Sequence, residues 1–256
     1  MRITIITVAY NSARTIGDTL DSVAAQLHPD IEHIIVDGGS KDETLTLIAT
    51  RGTHVKRVIS EPDEGIYDAM NKGLRLATGE IVGFLNSDDM FASPDVLARI
   101  ASAATGIGTD RPADAVYGDL VYVNSSPPNR VQRYWRSGRF TRRKLALGWM
   151  PPHPTLYVRR TLMEQIGAFD ARLRISADYE FMLKLLSRPG LVVTYLPQVL
   201  VHMRVGGASN GSLGGIVRKS REDLGALRKH RVGGVVALVF KNLRKLPQFF
   251  MSLPKA

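Results

Sequence analysis

The first hundred residues alternate two hydrophobic periods, and a chain that does so has few folds open to it. Short β-branched runs at 3–8, 31–36, 55–59 and 81–85 read as strands. The segments between them carry apolar residues at helical spacing: Ile16, Leu20, Val23 and Leu27, then Leu45 and Ile48, then Ile66, Met70 and Leu74. Ser40, with Glu43 three residues on, reads as a capping box for the second helix. Strands alternating with helices imply an α/β fold: a mostly parallel sheet, right-handed crossovers and helices on both faces.

Sheets of this kind bind ligands outside the carboxyl ends of their strands. Polar clusters fall there four times: Tyr10-Asn11, Asp37-Gly38-Gly39-Ser40, Glu61-Pro62-Asp63-Glu64-Gly65 and Asn86-Ser87-Asp88-Asp89. Each alone is an ordinary turn sequence. Four in register, rich in carboxylates and glycine, read as one site. The fourth cluster is the most informative. Two adjacent carboxylates at the mouth of a buried strand are costly unless a positive charge neutralises them. A divalent cation carrying a diphosphate is the natural candidate, because hard cations prefer oxygen ligands.

Past residue 110 the pattern is less regular. Strands are expected at 115–123, 154–158, 191–195 and 199–202, with a short helix at 161–166 and a second helix, capped by Ser176, running to 186. Residues 124–139 read as loop. The run Gly206-Gly207-Ala208-Ser209-Asn210-Gly211-Ser212 marks a boundary. The expected organisation is a domain over 1–205 with a basic amphipathic extension at 206–256; a division of that domain into a ligand-binding half at 1–110 and an acceptor half at 111–205 is what the resemblance given next implies.

With these stretches in view, the chain resembles glycosyltransferase family 2, the inverting enzymes with the GT-A fold. The stretches are Thr7-Val8-Ala9-Tyr10-Asn11, Val36 to Thr44, Asp63 to Gly73 and Asn86-Ser87-Asp88-Asp89, with Gly167-Ala168-Phe169-Asp170 and Ala177-Asp178-Tyr179-Glu180 downstream. The second and third look most like bacterial transferases of exopolysaccharide, O-antigen or glycolipid assembly. The resemblance implies a nucleoside-diphosphate-sugar donor, UDP or TDP favoured, and a Mn2+ or Mg2+ cofactor. It implies a hydroxyl acceptor on a glycan or a lipid-linked carrier.

The resemblance also assigns roles. Asp37 would bind the base, the alternative being a turn aspartate before Gly38-Gly39; Thr7 and Tyr10 would line the nucleotide pocket. Asp89 would hold the metal, and Asp88 the ribose or a second metal contact. The family commonly has aspartate where Asn86 stands, which leaves the division between Asp88 and Asp89 open. Asp178 would be the general base, at a helix start whose dipole favours the ionised form; Glu180 ranks behind it. Asp63 is expected at the donor. Lys72 either neutralises diphosphate or pairs with Asp68 four residues back. His153 falls at an acceptor position. His202 and Arg204, after the last strand, are placed to reach metal or diphosphate, though a lone histidine is more often structural.

Charge and composition narrow the partners. The absence of cysteine excludes disulfides, thiolate zinc sites and cysteine nucleophiles. The formal net charge is +10, and residues 213–256 hold ten Lys/Arg against Glu222 and Asp223. With an apolar run at 232–240 and Phe249 and Phe250 beyond it, this segment reads as an interfacial element on anionic lipid, or as a tail docked on the domain. No reader motif for nucleic acid occurs, and none is expected as a partner. No signal sequence or spanning segment is legible, so the expected location is cytoplasmic, peripheral at the inner membrane. The competing readings are a catalytically inactive relative, a basic-tail binding protein, or a nucleotidyltransferase. The last needs a glycine-rich basic loop after the first strand, and Tyr10-Asn11-Ser12-Ala13-Arg14 is not one.

Overall fold

A computed structural model describes residues 1–106, 111–124, 130–205, 213–244 and 248. The strands are β1 (Ile3–Ala9), β2 (Ile31–Asp37), β3 (Val55–Ser60), β4 (Ile81–Phe84), β5 (Met90–Phe91), β6 (Ala115–Val123), β7 (Val131–Trp135), β8 (Tyr157–Arg159) and β9 (Val193–Arg204). The helices are α1 (Ile16–Ala24), α2 (Thr44–Arg51), α3 (Ile66–Leu76), α4 (Val96–Thr105), α5 (Arg142–Ala146), α6 (Arg160–Ile166), α7 (Ala177–Leu186), α8 (Leu213–Lys229) and α9 (Gly234–Leu243).

One mixed sheet runs β3-β2-β1-β4-β8-β6-β9-β5, with β7 paired outside this path to β6. The first four strands are parallel. β8 joins the halves, antiparallel to both β4 and β6. All seven residues of β1 are buried, as expected of a central strand covered on both faces. Ile6, Val8, Ile34 and Val36 face one apolar cluster with α3 and α7; Ile3, Ile5 and Ile81 face another with α1 and α4. β3 is the edge, and its exposed Lys56 and Arg57 discourage further pairing. Gly83 allows β4 and β8 to meet, because a Cβ there would stand 2.2 Å from the Tyr157 ring.

The sequence reading differs from the structure at several elements. Residues 131–135, expected as loop, form a hairpin with β6. The two runs expected at 191–195 and 199–202 are one strand, β9, whose register to β6 shifts where Tyr195 and Val199 face Tyr117 and Asp119. The bulge takes up Pro197, which has no N–H for the ladder. Ser40 caps no helix. Its hydroxyl donates to Asp37 and accepts from the Asn11 N–H, and α2 starts four residues later.

Residues 213–244 pack on the domain. Ala226, Leu227, Val232 and Ala237 belong to the same apolar cluster as Val82, Phe84 and Leu183. Backbone of α9 crosses residues 146–148 so closely that only glycine fits: a Cβ on Gly148 (φ +72) would lie 2.2 Å from the Ala237 carbonyl oxygen. The expected hinge at 206–212 lies outside the described residues. Among the described residues no helix is long and apolar enough to cross a membrane.

Candidate active site

The four loops at the carboxyl ends of β1 to β4 are tied to one another. The Asn11 N–H donates to Ser40 Oγ (2.8 Å), and Lys41 N–H donates back to Asn11 Oδ1 (2.8 Å). Ser12 Oγ and Ser87 Oγ share a hydrogen bond of 2.8 Å, which joins the first loop to the fourth. Asn11 adopts φ +48, a conformation asparagine tolerates better than most residues.

Asp37 is wholly buried, and its carboxylate accepts from the Gly39 and Ser40 N–H groups and from the hydroxyls of Ser40 and Ser60. It holds the Gly38-Gly39 turn. Asp63 gives Oδ1 to the Gly65 N–H (2.9 Å), while its Oδ2 lies 2.6 Å from where a Cβ of Gly38 would be. Tyr10, 64% exposed, borders the same spot at 3.3 Å. The Tyr10 ring and Asp63 Oδ2, which has no protein donor among the described residues, thus border one spot. Thr7 is not on it: the side chain is fully buried and its hydroxyl pairs with His33 Nε2 at 2.9 Å. Lys72 is occupied too, bonded to Glu61 (2.9 Å) and the Pro62 carbonyl (2.9 Å) beside Asp68.

His33 stacks on His54 at 5.1 Å, and its Nδ1 meets His54 Nε2 at 3.0 Å. Burial pushes the His33 ring down to about 3, so the ring is neutral in the fold and protonates first in the unfolded chain. Its contribution to stability is complete above the unfolded value near 6.5 and is lost as pH falls toward 3. Urea unfolding should therefore show stability dropping as pH falls, by about 0.7 kcal/mol per pH unit from this ring at pH 6.5 and approaching ~1.4 kcal/mol per unit below about pH 5.5, with the slope reduced in His33→Gln. A wild-type curve flat between pH 6.5 and 5 would contradict this.

Asp89 is wholly buried at the end of the fourth loop. Its Oδ2 accepts from Asn86 Nδ2 (3.0 Å), and its Oδ1 has no hydrogen-bond partner among the described residues. Burial, reinforced by the neighbouring charge of Asp88, holds this carboxyl well above the usual range; burial likewise raises Asp88. Arg204, from the end of β9, offsets this only in part: its backbone N–H and its charge favour ionised Asp89 and its charge ionised Asp88, while its guanidinium donates to the Asp88 carbonyl oxygen (3.2 Å) and is engaged with Asp18. A carboxylate pair with an orphaned buried oxygen fits a hard divalent cation. No group of three or more His, Asp or Glu ligands occurs among the described residues, so a cation held here would need further oxygen ligands from outside this carboxylate pair.

Arg204 also lines a cavity of about 730 Å³ on whose wall Asp178 and His153 sit. Much of the lining is apolar, with Met150, Met182 and Trp135. Asp178 is the second residue of α7. Its Oδ1 accepts from the Tyr67 hydroxyl (3.1 Å) and from the Tyr179 N–H (2.7 Å), while Oδ2 has no protein donor among the described residues. His153 stacks on Phe84 (5.5 Å), and burial lowers its basicity against the opposing charge of Asp178. Asn71 exchanges two hydrogen bonds of 2.9 Å with the backbone of Phe169, fixing the ring that packs on Tyr67.

Glu180 points away from Asp178, to His230 (2.7 Å) and Lys229 (2.8 Å), and these contacts bring it down to about 2 against the effect of burial. His202 is half-buried in β9 opposite Met90, and burial lowers its basicity. Ser176 precedes α7 but makes no side-chain cap. Sequence reasoning missed Glu222, whose carboxylate holds the turn that leads into α7: it accepts from the N–H groups of Arg174 (3.2 Å), Ile175 (2.9 Å) and Ser176 (2.9 Å). It missed Tyr67 also, although Tyr67 lies inside the third motif.

The family model for glycosyl transferase family 2 matches residues 4–166. A PGL/p-HBAD biosynthesis glycosyltransferase of Mycobacterium bovis is 36% identical over 210 residues, 80% of this chain and 78% of the relative. An uncharacterised glycosyltransferase of Mycobacterium tuberculosis is 33% identical over 190 residues, 71% of this chain and 68% of the relative. In fold, TarS 1–349 of Staphylococcus aureus, solved with UDP-GlcNAc, superposes with a TM-score of 0.70 at 20% identity; the match covers 91% of this chain and 66% of TarS 1–349. A second crystal structure of TarS 1–349 gives 0.68 at 22% identity, with 91% of this chain spanning 65% of that one. A mannosyltransferase of Pyrobaculum calidifontis, solved with GDP-Man and Mn2+, gives 0.65 at 20% identity over 97% of this chain and 73% of that one. The tied loops, the carboxylate pair and the extent of these matches agree: the chain is a GT-A glycosyltransferase and belongs to glycosyl transferase family 2.

Proposed function

We propose that this transferase moves a sugar from a nucleoside diphosphate, UDP- or TDP-sugar favoured, to a hydroxyl of a glycan or lipid-linked acceptor, with inversion at the anomeric carbon. The observation that carries the reading is the orphaned Asp89 oxygen beside Asp88, joined through Arg204 to the cavity that Asp178 lines. Tyr10 lies against the base, and the free Asp63 Oδ2, on the turn that Asp37 fixes, accepts an imide N–H such as uracil's. Asp88 and Asp89 hold Mn2+ or Mg2+, which when bound neutralises charge on the departing diphosphate. Arg204 adds a fixed positive charge on the same side.

Asp178 takes the proton of the acceptor hydroxyl as the new glycosidic bond forms and the bond to diphosphate breaks. The Tyr67 hydroxyl and the Tyr179 N–H hold Oδ1, which leaves Oδ2 for the acceptor. His153 and the methionines of the cavity wall give the acceptor an amphipathic bed. Release of nucleoside diphosphate from a panel of UDP-, TDP- and GDP-sugars, with Mn2+ and then with EDTA, tests the reading. Turnover with none of them, or turnover indifferent to EDTA, counts against it.

A membrane surface is the partner proposed for the C-terminal helices. On α9, Val235, Val236, Val239, Phe240 and Leu243 form one stripe, each between 43% and 56% exposed. Both acids of the segment are turned inward, Glu222 to backbone and Asp223 to Lys241, while Arg218, Arg221, Arg228, Arg231 and Arg244 are exposed. An apolar stripe with net positive surroundings suits anionic lipid. The wild type should sediment with vesicles containing phosphatidylglycerol and Val239→Asp should not. Equal recovery of both in the supernatant would remove the membrane from this reading.

A further inference from the structure

Glu222 lies outside the matched family region, on a helix that the sequence assigns to a peripheral tail, yet it reaches the start of the helix that carries Asp178. Three backbone N–H groups at 174–176 converge on its two oxygens. The N–H groups ahead of a helix have no partner within it, and Ser176 supplies none from its side chain. The segment so fixed also provides the Ile175 carbonyl, which accepts from the Tyr67 hydroxyl at 2.7 Å; the same hydroxyl donates to Asp178 at 3.1 Å. Glu222, the 174–176 backbone, Tyr67 and Asp178 therefore form one connected set. A second tie lies close by: Lys241 of α9 bonds Asp223 (2.7 Å) and stands 3.3 Å from the centre of the Tyr179 ring, next to Asp178 in the chain.

We propose that Glu222 is a positioning residue for the general base: by gathering three N–H groups ahead of α7 it sets where Asp178 meets the acceptor hydroxyl. The inference rests on the reading of Asp178 as that base. It makes the C-terminal helices part of the catalytic apparatus as well as of the core. A carboxylate is suited to the task because it only accepts and offers two oxygens to three donors.

The test is steady-state kinetics on the full chain. Glu222→Ala should lower kcat by about 10²-fold, the cost of a base displaced by about an ångström, with the donor KM and Mn2+-dependent UDP binding within twofold of wild type. Glu222→Gln keeps one oxygen for the Ile175 and Ser176 N–H groups but turns an amide donor toward Arg174, so its kcat should fall between the two. A purely structural role would instead lower the folded fraction and leave the donor-saturated rate per folded molecule unchanged. Should Glu222→Ala not fold, Glu222→Gln decides alone. A wild-type kcat in whichever variant folds, with Asp178→Asn inactive, overturns the inference and leaves the base reading intact. Wild-type turnover by Asp178→Asn overturns the base reading itself.

Discussion

Asp178→Asn is expected to reduce transfer by ~10²–10⁴-fold, the usual worth of a general base, while donor binding stays near wild type. Asparagine has the shape of aspartate, and its oxygen can still accept from the Tyr67 hydroxyl and the Tyr179 N–H. What disappears is the capacity to take a proton from the attacking hydroxyl. The groups proposed for the donor side, Tyr10, Asp63, Asp88 and Asp89, sit on the loops after β1, β3 and β4 and make none of the bonds that hold Asp178. The rate of diphosphate release and calorimetric binding of UDP with Mn2+ should therefore separate cleanly. A variant that binds UDP poorly would mean that Asp178 holds donor or metal instead.

Asp89→Ala should remove Mn2+-dependent UDP binding without lowering the melting temperature measured in EDTA. The side chain is wholly buried, one oxygen has no partner, and burial raises its proton affinity. In the metal-free fold such a group costs stability, because desolvation is uncompensated. Removing it relieves that cost while deleting a cation ligand, so binding and stability should move apart. The loss of UDP affinity with Mn2+ should be about 10-fold or more, on the scale seen when groups around a bound metal are removed. A drop of several degrees in EDTA together with undiminished UDP affinity would identify Asp89 as a structural residue.

The parallel half of the fold was legible because each of its strands is a short β-branched run and each intervening helix keeps one apolar face. The carboxylate pair was legible for a related reason: Asp88-Asp89 follows a run too apolar to be surface. The second half was harder to read. β7 is a partly exposed hairpin arm, and Arg133, which lies over the Tyr122 ring, breaks its hydrophobic pattern. β9 passes through Pro197 by way of a bulge that only pairing with β6 reveals. Asp37 was read from local sequence as base-binding or turn-forming; its four internal hydrogen bonds show it fixing the turn, and one comes from Ser60, 23 residues on. Thr7 was expected at the nucleotide from the family resemblance, but it lies inside β1 with its side chain on His33. Glu222 was invisible for a different reason: its partners are backbone groups nearly fifty residues earlier, and no local pattern announces them.

The placement of β8 bears on how the protein is made. The strands β1 to β4 need only the first 84 residues, so they can assemble while the rest of the chain is still in the ribosome. The outer edge of β4 then lacks its neighbour until Tyr157–Arg159 emerges, roughly seventy residues of translation later. For that interval a nascent chain displays a flat, unsheathed row of amides and carbonyls beside apolar side chains, which invites association with other copies. High-level expression of this protein without a holdase should therefore favour inclusion bodies, and slowing elongation only lengthens the exposure, because the missing partner is encoded downstream.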